Sequence, residues 1–406
     1  MGKSKLWRVV FTGVLLFGLM LPLHGVKAEE GEGSKEVAML TKKETGIKEL
    51  VIPSPAERFT YNSGLTFEYP DAVRGIYVTG PSAGGAKMTE LTKLVEETEL
   101  NAMVIDIKED HGNITFKPEE GSPYADVAED FIDDPRVMLE KLEEKGIYPI
   151  ARVVVFKDSL LAEKRPDLSF KQNGQVWKNG KGESFVNPFM EEVWEYNVEL
   201  AKVAAEMGFE EIQYDYVRFP EGFDSRDDIL EYGQGKYADL DMDNVQKRVK
   251  AVTDFVKYAR EELAYYGVDV SVDIFGYAAT ITEAPNIGQN FSKISSNVDV
   301  ISSMIYPSHW GPYFGLAKPD TEPYRLVDEY AKVENDVLGT LEDQPTSRPW
   351  LQDFEAPWLY SGPVKQYGKA EVEAQIRALH ENGIHEFLLW NSGNNYTKNV
   401  DYTPLD

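Results

Sequence analysis

The sequence predicts an α/β fold in which eight parallel strands alternate with helices and close into a barrel. Three observations predict it. Short apolar, β-rich runs recur eight times from residue 74 onward, amphipathic segments at helical spacing separate them, and runs such as Ala102-Met103-Val104-Ile105 are apolar on both alternations, as strands covered on both faces must be. The runs are Gly75–Gly80, Ala102–Lys108, Tyr148–Phe156, Glu211–Phe219, Asp269–Gly276, Val298–Pro307, Arg348–Glu355 and His385–Asn391. Eight is the number at which right-handed βα units close, and residues 74–400 supply the roughly 250 residues that a (β/α)8 TIM barrel needs. A doubly wound open sheet is the alternative, weakened by the lack of a Gly-rich phosphate turn after any strand.

The intervening segments carry helix punctuation. Asp134 and Pro135 open one that Gly146 closes, and Asn187 and Pro188 open another that Gly208 closes. Within the second, Val193, Tyr196, Leu200, Val203 and Met207 recur at helical spacing; Val249, Val252, Val256 and Ala259 form a similar stripe, as do Val372, Ile376 and Leu379.

Ahead of the barrel, Lys3, Lys5 and Arg8 precede an apolar run from Val9 to Leu23 and a small-residue segment ending at Ala28, the layout of a secretory signal peptide. Residues 29–60, rich in Glu, Lys, Gly and Ser without a sustained period, read as a flexible tether, leaving 61–406 as a single barrel domain. The expected address is therefore secreted or cell-surface, with an uncleaved leader serving as a membrane tether. The run is short for a full membrane span.

Removal of the leader takes away Lys3, Lys5, Arg8 and Lys27 and no acid, moving the formal charge from −27 to −31. So acidic a balance disfavours nucleic acid as a partner, since binding would need a basic face to neutralise phosphates. The absence of cysteine excludes disulfides and thiolate nucleophiles together. No cofactor and no metal are expected.

In such a barrel the chemistry sits where strands end at their C-terminal side. Asp106, Asp215 and Asp273 each interrupt an otherwise apolar strand, and a carboxylate there is costly unless it is paired or opens on a solvated cleft. Each alone could simply cap a helix or pair with a cation; three on neighbouring strands point to a site. Period-two counting puts Gln213 and Asp215 on one face of strand four and Tyr214 and Tyr216 on the other. Around the acids, the strand ends offer Lys108, Arg152, Arg218, Gln352, Asp353 and Asn391 as polar contacts for a substrate, and Tyr216, Tyr306, Trp310 and Trp390 as flat aromatic faces. Paired carboxylates beside aromatic platforms fit glycosidic cleavage, with a polysaccharide or oligosaccharide as substrate.

The segment Gly208–Pro220, with Arg74-Gly75-Ile76-Tyr77-Val78-Thr79 and the block Val104–Gly112, resembles a bacterial family of glycoside-hydrolase-like domains long known as a domain of unknown function. The resemblance covers roughly residues 70–395. It implies a TIM barrel distantly similar to the α-amylase and α-galactosidase superfamilies, in which the nucleophilic Asp ends strand four, here Asp215. The α-amylase pattern places the proton donor on strand five, where Asp273 stands instead of the usual Glu; the α-galactosidase pattern uses strand six, which has no carboxylate here. Glu355 and Glu221 are the other candidate donors. The mechanism so implied is double displacement, with Asp215 attacking the anomeric carbon and Asp273 as acid and then base.

Two other functions are compatible with these residues. A carbohydrate-binding or cell-wall-docking barrel would hold sugar with the same side chains and not cleave it. A metal-dependent polysaccharide deacetylase could use Asp106, Asp110 and His111, although His111, His309, His380 and His385 include no i, i+4 pair. A serine hydrolase is disfavoured, since no Gly-x-Ser-x-Gly turn occurs.

Overall fold

The structure is a computed structural model that describes residues 60–359 and 364–405. The expected leader and all but the last residue of the expected tether lie outside the described residues. Eight parallel strands form the barrel: β1 Arg74–Val78, β2 Ala102–Lys108, β3 Tyr148–Val154, β4 Glu211–Asp215, β5 Asp269–Phe275, β6 Val300–Met304, β7 Trp350–Gln352 and β8 Phe387–Trp390. Each pairs with its neighbour in chain order, and β1 pairs with both β2 and β8, which closes the ring. At the seam Gly75 lies opposite Leu388, and a Cβ on it would come within 2.6 Å of the leucine Cδ2, so any larger residue would have to displace that side chain.

Helices cross between the strands: α1 Lys87–Glu96, α2 Pro135–Glu144, α3 Glu191–Met207, α4 Asn244–Leu263, the short α5 Phe291–Ser295, α6 Pro323–Leu338 and α7 Lys369–Glu381. Among the described residues no helix follows β8. The chain there buries Tyr396, Val400 and Tyr402 instead. No helix among the described residues is long and apolar enough to cross a membrane.

Helix α2 starts as its sequence predicts, with the Asp134 side chain accepting from the Val137 N–H and Pro135 in the first turn. Helix α3 starts later than Asn187–Pro188 suggests. Asn187 Oδ1 accepts from Phe189 N and its Nδ2 donates to Gly233 O, which makes a turn of residues 187–190 and defers the helix to Glu191. Its buried face runs through Val193, Asn197, Leu200, Ala201 and Ala204, whereas Tyr196, Val203 and Met207 lie at its edge. The stripe is rotated because a polar residue, Asn197, sits at its centre. The expected stripes of α4 and α7 are fully buried.

The core has two layers. Outside the strands, apolar side chains from sheet and helices form one large cluster. Inside the barrel, Val73, Tyr77, Ala102, Val104, Tyr148, Ile150, Tyr306, Trp350 and Leu388 fill the lumen. At its lower end Arg348, with no exposed surface, meets Glu211 at 2.8 Å and Glu386 at 2.7 Å and donates to the Tyr69 hydroxyl. This buried cluster closes the floor, opposite the C-terminal ends of the strands.

Candidate active site

The centre of that end is an arginine. Arg152 points inward from β3, and its guanidinium reaches three carboxylates: Nη1 lies 2.6 Å from Asp106 Oδ1, Nη2 3.0 Å from Asp110 Oδ1, and Nη2 and Nε lie 2.6 and 3.1 Å from Asp215 Oδ2. The fork geometry of guanidinium lets one side chain serve strands β2, β3 and β4 together. Asp106 also accepts from the Tyr77 hydroxyl at 2.5 Å; burial raises its pKa to about 6 even against Arg152. Asp110 is also pushed up by burial, but Arg152 and Lys157 outweigh this and hold it at about 2.

Asp215 closes β4, and its Oδ1 accepts the Tyr216 backbone N–H at 2.6 Å. Tyr216 itself has φ +53°, a left-handed conformation unusual for a bulky residue. This bend ends the strand, so period-two counting fails at Tyr216, whose ring lies under Lys157 Nζ at 4.7 Å and Arg218 at 4.9 Å.

Asp273 lies one residue past the Tyr214–Val272 register pair of β4 and β5, as Asp215 does, so the two stand side by side on adjacent strands about 5 Å apart. Their environments differ. Asp215 receives three N–H donors; Asp273 receives the Trp350 indole N–H at 2.7 Å. Burial, and next the negative charge of Asp215, raise the Asp273 pKa well above the usual carboxylate range.

Aromatic rings wall the site. Tyr77 stacks on Trp390 at 4.0 Å and 16°, Trp350 meets Trp390 edge-on at 5.5 Å, and Arg152 lies 5.4 Å from both the Tyr77 and Trp390 rings. Tyr306, 6.4 Å from Trp390, is close enough to Asp273 and Asp215 that both add to burial in raising its phenol pKa.

The structure thus brings together Asp106, Arg152, Asp215, Asp273, Tyr216, Tyr306 and Trp390. It places the other expected contacts elsewhere. Lys108 is fully buried outside the barrel, 2.7 Å from Asp158 and 2.9 Å from Asn197 Oδ1. The cause is a β-bulge: Asp106 pairs with Arg152 but Lys108 with Val153, so the extra residue turns Lys108 to the opposite face. Arg218 does not reach Asp215. It binds Phe219 O and Glu221 and lies over the Phe275 ring. Gln352 is enclosed by Ser308 N, Phe354 O and Gln375, and both oxygens of Asp353 are taken by Thr397. Asn391 ties Asp353 O to Asn395 O, and Trp310 packs on Tyr313, Phe314 and Tyr330. Glu355 is exposed, and Glu221 is exposed and paired with Arg218.

Residues the sequence did not single out for this role are Tyr77, Trp350, Asp110 and Lys157. Tyr77 and Trp350 were within reach, since both face inward by alternation along their strands. Asp110 and Asp106 share a guanidinium rather than a vacant cation position, and among the described residues no three His, Asp or Glu side chains converge on a metal-binding geometry.

Two solved structures share this fold. The glycoside hydrolase domain of PgaB (BpsB) from Bordetella bronchiseptica superposes with a TM-score of 0.58 at 11% identity, over 79% of this chain and 94% of that one. The β-galactosidase of Marinomonas ef1 gives 0.51 at 13% identity, over 79% and 54%. A hypothetical protein of Ruminiclostridium thermocellum is 30% identical, with a TM-score of 0.42, over 49% of this chain and 96% of its own. No curated protein matches the sequence. Residues 75–396 match the family model described as "Putative glycosyl hydrolase domain", and the chain belongs to that family.

Proposed function

We propose that this protein is a retaining glycoside hydrolase, exported by its N-terminal leader, that cleaves an envelope or extracellular polysaccharide. The observation that carries the reading is the pair of adjacent carboxyls in unlike surroundings. Asp215, whose carboxylate accepts three N–H donors, is the nucleophile; Asp273, whose pKa is raised by burial and by the charge of Asp215, is the acid. Retention requires two carboxyls about 5–5.5 Å apart, and the placement of Asp215 and Asp273 at matching positions of neighbouring strands supports that reading.

In the first step Asp215 Oδ1 attacks the anomeric carbon while Asp273 protonates the departing glycosidic oxygen. Oδ2 stays anchored on Arg152, which fixes the angle of attack. Ester formation removes the negative charge of Asp215, and with it the second-largest influence that raises Asp273. Its pKa falls just when it must accept a proton from the incoming water. One observation favours a binding barrel as the second reading: Asp215 and Asp273 are only 5% and 2% exposed.

Reducing-end release from a panel of envelope and extracellular polysaccharides, for wild type, Asp215→Asn and Asp273→Asn, separates the two. Cleavage by wild type with retained anomeric configuration, lost by at least about 10³-fold in both folded variants, is the expected result. Binding without cleavage by wild type would replace the hydrolase with the binding barrel.

A further inference from the structure

Beyond the carboxylates the aromatic wall continues outward along the loop after β7. Tyr306 meets Phe354 edge-on at 5.8 Å, and Phe354 is nearly parallel to Trp358, 18° between planes and 6.4 Å between centroids. Trp358 is 65% exposed, the highest value among the large hydrophobic side chains of the described residues. The exposed indole does not stand singly on the surface but extends an aromatic series that begins at the carboxylates with Tyr306 and runs through Phe354. Its position is fixed from below. Gln352 and Asp353, at the root of the loop, are locked by Ser308, Gln375 and Thr397, and Ala356 is buried between the two rings in sequence.

We infer that Phe354 and Trp358 form a sugar-binding shelf outside the carboxylate pair, which receives further units of a glycan chain carrying no acidic groups. This rests on the proposed carbohydrate function and names its substrate class. Two near-parallel rings next to Tyr306, the outer one exposed, offer an aromatic face that the C–H face of a pyranose covers, whereas a protein partner would be expected to bring a broader patch. Charge selects among glycans. Three cations near the mouth are already paired, Arg152 with Asp106, Asp110 and Asp215, Lys157 with Asp110 and Glu183, and Arg218 with Glu221, while the exposed Lys181 acts on His309 and is outnumbered by these carboxylates. The exposed Glu355 adds further negative charge, so a uronic acid polymer meets repulsion and a neutral or amino-bearing polymer does not.

The test is affinity electrophoresis of wild type, Asp215→Asn, Trp358→Ala and Trp358→Phe through gels containing hydroxyethyl cellulose, galactomannan, glycol chitosan or polygalacturonate, with thermal melting as the check on folding. Retardation by at least one of the first three, weakened about tenfold in Trp358→Ala, recovered in Trp358→Phe and absent with polygalacturonate, is expected. For a cleaved polymer, Trp358→Ala should raise KM and leave kcat/KM on a small aryl glycoside unchanged. Equal retardation of wild type and Trp358→Ala, no retardation by any uncharged or amino-bearing polymer, or strongest retardation by polygalacturonate overturns the shelf. Retardation that depends on Trp358 without any cleavage by wild type keeps the shelf and removes the hydrolase.

Discussion

At the residue scale, the decisive contact is the Trp350 indole N–H on Asp273 Oδ1, because it is a donor aimed at the charged form of the group proposed to carry the proton. Trp350→Phe keeps the ring and removes the N–H. The carboxylate of Asp273 then loses a stabilising donor, its pKa rises further, and the alkaline limb of the kcat/KM profile moves to higher pH. An unmoved or downward-shifted limb would mean that Asp273 is not the acid. Arg152→Lys should be worse than its conserved charge suggests, since one ammonium cannot span three carboxylates; kcat/KM is expected to fall by about 10²-fold or more, measured on whichever glycan is cleaved. Much of this site was legible in the sequence because an Asp inside an apolar strand is conspicuous. Arg152 was seen but given to the substrate, and its task is internal. Pairing partners on other strands depend on stagger, which no single strand reveals.

At the scale of elements, the extra residue in β2 is the clearest departure from plain alternation. It sends Lys108 outward to Asp158, which in turn caps the helical turn of residues 159–164 through Leu161 N. Gly112 lets the following loop pass: its φ is +107°, and a Cβ there would sit 2.1 Å from Asp158 Oδ1. Lys108→Met leaves a buried carboxylate without its cation, so a loss of about 3 kcal/mol in unfolding free energy is expected with kcat/KM of the folded fraction unchanged, measured by denaturant titration beside activity. A loss of activity in fully folded Lys108→Met would restore this lysine to the mouth. Strand positions and the stripes of α4 and α7 were readable from period alone, whereas the stripe of α3 was rotated by the buried Asn197. Bulges, the Asn187 turn and the Tyr216 bend were not, because each exchanges a local rule for hydrogen bonds made with distant residues.

At the scale of the whole molecule, two features govern stability. Arg348→Met should cost about 3–5 kcal/mol by chemical denaturation, since Glu211 and Glu386 would stay buried at the barrel floor without their shared cation. The second is pH. Burial, with help from neighbouring acids, raises Asp106 and Asp269 to about 6 and Glu109 and Glu210 to about 7, against roughly 4 in an unfolded chain. Between about pH 4 and 7 the folded protein therefore holds protons that the unfolded chain has released, and stability falls as pH rises through that window. Asp110, held at about 2, acts oppositely and withdraws its contribution only below pH 4. Scanning calorimetry should find the highest Tm near pH 4–5 and a decline toward pH 7.5; a rise over that range would contradict these environments.

The ring closes where β1 meets β8, the pairing that joins the most distant parts of the barrel chain, and the Tyr77–Trp390 stack straddles that seam. Contacts of such sequence separation form late, because the loop entropy must be spent before they reward it. A barrel caught before closure would hold most of its helices and several of its carboxylates yet lack the wall they work against. Recovered function during refolding should consequently lag the far-ultraviolet signal and keep pace with the indole emission of Trp390, so that the final event in acquiring shape is also the one that confers chemistry.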